Sequence, residues 1–157
     1  MGLGLTLLAA CGGEQAPSPA AEQQNRLIWE SQTAGAGAAL ILRGHEGAEL
    51  LRLYCGRDPA VMGVDVSIFT NVGGGQALSL NVGPGAPFVF ATSVEGGGSG
   101  VHGEGPIPGD LFDRLGRSQT ISASYGAKYF GPYPAPERPR SMEFTNACRQ
   151  IVERESE

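Results

Sequence analysis

The sequence predicts a mainly β fold, a compact antiparallel β-sandwich or small barrel with one short helix and one C-terminal helix. Three observations carry that prediction. The 157 residues include 25 glycines and 11 prolines, too many breakers for a helical bundle or a long coiled coil. Apolar and β-branched residues come in runs of about five to eight between turn residues, the length of short strands. Apolar residues at helical spacing are absent until late in the chain. A mass of 16.3 kDa suits one domain and a tail, and a second independent core has no room.

Leu27-Ile28-Trp29 opens the first run. Ala38 to Arg43 and Glu49 to Cys55 follow, with Gly44-His45-Glu46-Gly47 as the hairpin turn between them. Val61 to Thr70 places Val64, Val66 and Ile68 on one face and Asp65 and Ser67 on the other, the period-two pattern of a half-buried strand. Gln76 to Val82 repeats it with Leu78, Leu80 and Val82 inward, and Pro87 to Val94 adds a run around Phe88, Val89 and Phe90. Gly73-Gly74-Gly75 and Gly96-Gly97-Gly98 read as hairpin turns. All of Gly96 to Pro108 reads as loop, because successive glycines have nothing to pack and Pro106 and Pro108 lack ladder donors. Asp110 is positioned to cap a short helix bearing Leu111, Phe112 and Leu115, with Gly116 as its stop. Thr120 to Tyr125 and Ala127 to Phe130 are expected to close the sheet through Gly126. From Ser141 onward, Phe144, Cys148, Ile151 and Val152 form one apolar helical stripe. Arg149 and Arg154 lie toward its carboxyl end, where the helix dipole favours positive charge.

Leu3 to Ala10 is apolar and uncharged but far short of the ~20 residues a helix needs to cross a bilayer. Its length and small-residue end match the hydrophobic region of a secretory signal. Leu8-Ala9-Ala10-Cys11 resembles the lipobox of bacterial lipoproteins. The resemblance implies that Cys11 is acylated through its sulfur, that residues 1–10 are removed, and that the new amino terminus is acylated too. Several acyl chains give the stable anchoring that one does not. Met1-Gly2-Leu3 lacks the basic residue that usually opens such a signal, as expected of a start placed too far downstream. In the families it resembles, an aspartate after the cysteine favours inner-membrane retention. Glycine stands at position 12, so the expected address is the cell envelope, on the outer membrane and facing the periplasm. Residues 12–25 have no large apolar side chain and cannot offset the entropy of ordering themselves. Positions 11–26 are therefore expected to be a lipidated tether, spanning about 20 Å by random-coil scaling, and 27–154 a single β-rich domain.

With Cys11 lipidated, two of the three cysteines remain. In an exported chain an isolated pair is expected to bond, because the periplasm is oxidising. Cys55 would then join Cys148 and staple the terminal helix to the third strand. The two lie 93 apart in sequence, so the chain-entropy account gives a stabilisation of about 4–5 kcal/mol, less any strain. Two buried free thiols or a metal site are the alternatives. A lone cysteine pair without a nearby histidine binds zinc poorly, and no Cys-x-x-Cys spacing supports a redox role.

A net charge of −5 and a pI near 5.0 argue against a nucleic-acid partner, which needs a clustered basic face. Gly98-Ser99-Gly100-Val101-His102-Gly103-Glu104 gathers a hydroxyl, an imidazole and a carboxylate and is the most enzyme-like stretch. Its spacing fails the nucleophile elbow, since Val101 stands where the second glycine belongs. His102 and Glu104 would share a strand face, but two ligands leave a metal shell incomplete. Neither triple-glycine run has phosphate-loop or dinucleotide spacing. No catalytic residue, cofactor or metal is expected, with a hydrolase using Ser99 and His102 as the alternative.

The densest cluster of aromatics and prolines spans residues 129–136, followed by two arginines. Tyr129, Phe130, Tyr133, Arg138 and Arg140 form a candidate binding loop, since exposed aromatics and arginines dominate interface energetics. The plainer reading is a connection whose aromatics cover the edge of the core. Tyr54-Cys55 at a strand end and Ser122-Ala123-Ser124-Tyr125-Gly126-Ala127-Lys128 resemble parts of the lipid-anchored inhibitors of c-type lysozyme, which are small β-barrels with a lipobox and a disulfide. The serine and lysine spacing differs from that family's, so no residue roles transfer. The expectation is a membrane-anchored lipoprotein, similar to small Gram-negative envelope lipoproteins, that binds an envelope protein or polymer and is not an enzyme.

Overall fold

A computed structural model describes residues 27–34, 37–56, 60–92 and 99–155. The leader 1–10, Cys11, the tether 11–26 and Gly96-Gly97-Gly98 lie outside the described residues. Among the described residues there are nine strands and two helices: β1 (Ile28–Ala34), β2 (Gly37–Arg43), β3 (Glu49–Gly56), β4 (Val61–Thr70), β5 (Leu78–Val82), β6 (Phe88–Thr92), β7 (Ser99–Pro106), α1 (Leu111–Leu115), β8 (Thr120–Tyr125), β9 (Lys128–Pro134) and α2 (Arg138–Glu155). The strands form one antiparallel sheet in the order β1-β2-β3-β4-β7-β6-β5-β8-β9, curled into a half-barrel.

Period-two alternation decides which face each strand buries. Leu51, Leu53 and Cys55 of β3, Leu78, Leu80 and Val82 of β5, and Phe88 and Phe90 of β6 turn inward, while Arg52, Tyr54 and Val89 turn outward. Fully burying each such Leu or Phe contributes about 1.5–3 kcal/mol. The open side of the curl is filled by helices. α1 buries Leu111, Phe112 and Leu115, and α2 buries Phe144, Cys148 and Ile151 against the same cluster. α2 lies across β1, β2 and β3, and Ser31 of β1 donates a hydrogen bond to Glu143 of α2. The Cys55–Cys148 disulfide, with Cα atoms 5.8 Å apart, staples this helix to the third strand.

The largest correction concerns residues 99–106, read from the sequence as loop. They form β7, a central strand paired with β4 on one side and β6 on the other. Val101 faces the core, and Gly103 faces it next along the strand. A Cβ at Gly103 would lie 2.9 Å from Phe90 Cβ and 3.1 Å from Leu78 Cδ2. Glycine here is what lets the neighbouring strands' large side chains close over the backbone. Pro106 stands at the last strand position, where a missing donor costs least.

Other differences have local causes. In β4 the register shifts between Val66 and Thr70. This bulge reverses the alternation, so Phe69 is buried and Ile68, expected inward, is 54% exposed. Gly73-Gly74-Gly75 is not a hairpin turn, because β4 and β5 are not neighbours in the sheet; it belongs to the crossover between them. The first strand runs on to Ala34, and the last runs on to Pro134. α2 starts at Arg138, three residues before the expected Ser141. Pro139 fits because first-turn amides have no helical acceptor. Asp110 makes no side-chain cap to α1.

Candidate functional site

The strand register carries six residues from three strands onto one patch of the outer face. Arg52 of β3, Asp65 of β4 and His102 of β7 lie in one cross-strand row, and Tyr54, Gly63 and Glu104 in the next. Adjacent strands are about 4.8 Å apart, too far for short side chains two strands away to meet. Gly63 removes that obstacle, because a Cβ there would fall 2.1 Å from Tyr54 Cε1. The Tyr54 ring thus crosses the middle strand, and its hydroxyl donates to Glu104 Oε2 at 3.2 Å. The ring also stacks on His102, with centroids 6.0 Å apart and planes at 14°.

His102 is held from both sides. Its Nδ1 lies 2.7 Å from Asp65 Oδ1, and its Nε2 lies 3.6 Å from Glu104 Oε2. The side chains of His102 and Glu104 are both about half exposed, 48% each. Burial pushes the Tyr54 phenol above its ordinary value, and its hydrogen bond to Glu104 and the charges of Glu104 and Asp65 push the same way, with Arg52 opposing. The Arg52 guanidinium carbon lies 5.6 Å from the Tyr54 ring centroid, and its buried Nε has no hydrogen-bond partner among the described residues. Beside this patch, Arg52, Tyr54 and Gln32 wall a cleft of about 310 Å³ floored by Ala34, Gly37 and Ala39.

Chemically the patch offers an oriented imidazole, two carboxylates, a phenol and a guanidinium. The Asp65–His102 contact is the orienting half of a triad, yet Nε2 faces a carboxylate where a triad needs a hydroxyl. Ser99 pairs with Thr70 beyond the bulge, three residues or about 10 Å along the strand, and no hydrogen bond joins it to His102 among the described residues. Asp65 touches the imidazole directly, so the two do not converge on a shared point. No set of three metal-binding side chains converges among the described residues.

The residues expected to form one binding loop are divided. Phe130 is 1% exposed and packs against Phe69 and Tyr133, so it is a core residue and drops out of that surface. Tyr129 is exposed on the edge strand and Tyr133 leans on the core. Arg138 and Arg140 belong to the first turn of α2 and separate. Arg140 pairs with Glu143 at 3.6 Å and lines a seam with Trp29 and Pro134, whereas Arg138 faces the gap between α1 and α2. Of the stretch likened to lysozyme inhibitors, Ser122 is buried and Lys128 Nζ donates to the Thr70 carbonyl at 3.3 Å. Tyr54, Arg52 and Asp65 escaped the sequence reading as site residues. The available signal was a large aromatic and an arginine alternating outward from Leu51, Leu53 and Cys55, facing a glycine in the following strand.

These features define a class: a disulfide-stapled, helix-filled antiparallel half-barrel with a polar aromatic patch on its outer face. No family model, curated protein or solved structure matches the chain.

Proposed function

We propose that this protein is an envelope lipoprotein, anchored through acylated Cys11 in the outer membrane and facing the periplasm, whose half-barrel binds an envelope protein or polymer without turning it over. The observation that carries the reading is the Cys55–Cys148 disulfide. Such bonds persist in oxidising compartments, and this one uses the two cysteines that lipidation of Leu8-Ala9-Ala10-Cys11 leaves over. Support for binding comes from the outer patch. Tyr54 and Arg52 are residue types that anchor interfaces, they flank a small-residue cleft, and Tyr54 is ordered by Gly63, His102 and Glu104.

The anchoring reading is tested by cell fractionation of a Cys11→Ser variant. Lipidation requires that the variant leave the membrane pellet for the soluble periplasmic fraction. A variant that stays with the membrane refutes the anchor. Binding through the outer patch requires that Tyr54→Ala lose cross-linked envelope partners that the parent chain retains, and an unchanged cross-linking pattern rejects that surface.

A further inference from the structure

One flank of α2, beside its core-facing stripe, leaves a groove of about 390 Å³ against α1. Arg138, Met142, Thr145 and Arg149 recur along α2 at helical spacing, so they share one face. Arg117, just past α1, completes the opposite wall. Three guanidinium groups thus meet one carboxylate, Asp113, in a chain whose net charge is −5. Asp113 is already engaged. Arg149 Nη2 lies 3.5 Å from its Oδ1, and Arg117 Nε donates to its carbonyl oxygen at 3.1 Å. The Arg138 guanidinium has no ion pair among the described residues.

An independent feature points into the same groove. Thr145 of α2 lines the groove, and its hydroxyl has no hydrogen-bond partner among the described residues, so it is free to donate to a ligand there. A Phe112 ring under Arg149, 5.9 Å from the guanidinium carbon, gives the floor an apolar flank and fixes that arginine's position.

We infer that this groove is a binding site for a small oxyanion, a carboxylate or phosphate group, held by Arg138 and Arg149 with Thr145 donating from the floor. Planar guanidinium forks match both anions, and charge-assisted bonds to them are the strong ones. The inference deepens the binding-module reading by naming a ligand chemistry. Its test does not involve Cys11 or the outer patch, so either proposal can fail alone.

The test uses the full chain in a non-ionic detergent, titrated by calorimetry with inorganic phosphate and, separately, with succinate. Saturable binding of either is expected, weakening as salt is added; the tighter of the two identifies the anion class. Arg138→Gln and Arg149→Gln should each weaken it about tenfold, as loss of a charge-assisted hydrogen bond does. Thr145→Val, which keeps the shape of a buried side chain, should weaken it about threefold or more. Arg154→Gln, outside the groove on the same helix, should bind as the parent chain does. Absence of saturable binding of both anions, or binding that all three groove variants retain at full strength, overturns the inference.

Discussion

Trp29 Nε1 donates a hydrogen bond of 2.9 Å to the carbonyl oxygen of Pro134, tying the first strand of the sheet to the ninth. These are the two edges of the half-barrel, 105 residues apart in sequence, and a cavity of about 360 Å³ lined by Leu27, Trp29 and Ala135 lies at their seam. Trp29→Phe keeps an aromatic ring and removes the donor. It is expected to cost about 1 kcal/mol, the net worth of one hydrogen bond, and to lower the Tm by about 2–4 °C for a domain of this size. Thermal unfolding followed by circular dichroism measures it, and an unchanged Tm would show that the indole bond does not hold the edges together.

The disulfide has a larger expected effect. Replacing both Cys55 and Cys148 with Ala should destabilise the domain by about 2–5 kcal/mol, read as a lower denaturant midpoint. Thiol labelling of the denatured, unreduced chain should find neither cysteine free. Stoichiometric labelling of both would rule the bond out in the native protein.

Two glycines make opposite predictions. Gly103→Ala pushes a methyl into Phe90 and Leu78 between packed strands and should cost about 1–3 kcal/mol through overpacking. The atoms nearest a Gly63→Ala methyl all belong to the Tyr54 side chain on the outer face, which can swing away. Its stability cost should be the smaller, but it should abolish the Tyr54–His102 stack, visible as a change in His102 ring chemical shifts. Equal destabilisation by the two substitutions would contradict the packing described for β7.

Tyr54 sets a pH dependence at the alkaline end. Its phenol is raised above 10.0 by burial and by Glu104, so the folded state keeps a proton that the unfolded chain releases near 10. Its contribution to stability is fully present below pH 10 and is lost as pH rises through the folded-state value. Denaturant midpoints should therefore fall above pH 10 more steeply in the parent chain than in Tyr54→Phe. Ultraviolet titration of tyrosinate should show one phenol ionising late that the variant lacks. Identical alkaline profiles would show that burial and Glu104 do not raise the Tyr54 phenol in solution.

Much of the architecture was legible because strand alternation is a local signal. Leu78, Leu80 and Val82, or Leu51, Leu53 and Cys55, declare an inward face whatever their partners are, and Phe144, Cys148 and Ile151 declare a helical stripe in the same way. The cysteine pairing followed from reading Cys11 as a lipidation site, which leaves two of the three cysteines to pair. β7 was not legible, because beyond Val101 its inward positions, Gly103 and Gly105, hold glycine, and the side chains that fill them, Phe90 and Leu78, come from other strands. The bulge that exposes Ile68 and buries Phe69 was hidden for a similar reason, since a run of β-branched and aromatic residues does not mark where its register slips. The outer patch needed three strands in register to bring Arg52, Tyr54, Asp65, His102 and Glu104 together. Sequence by itself determined eight of the nine strands, the two helices and which sulfurs meet, since these rest on periodicity and composition within single segments. Only the tertiary structure decided strand order, the place of the glycine-rich strand and the partners of His102, because these depend on what neighbouring strands put into the space a residue leaves open.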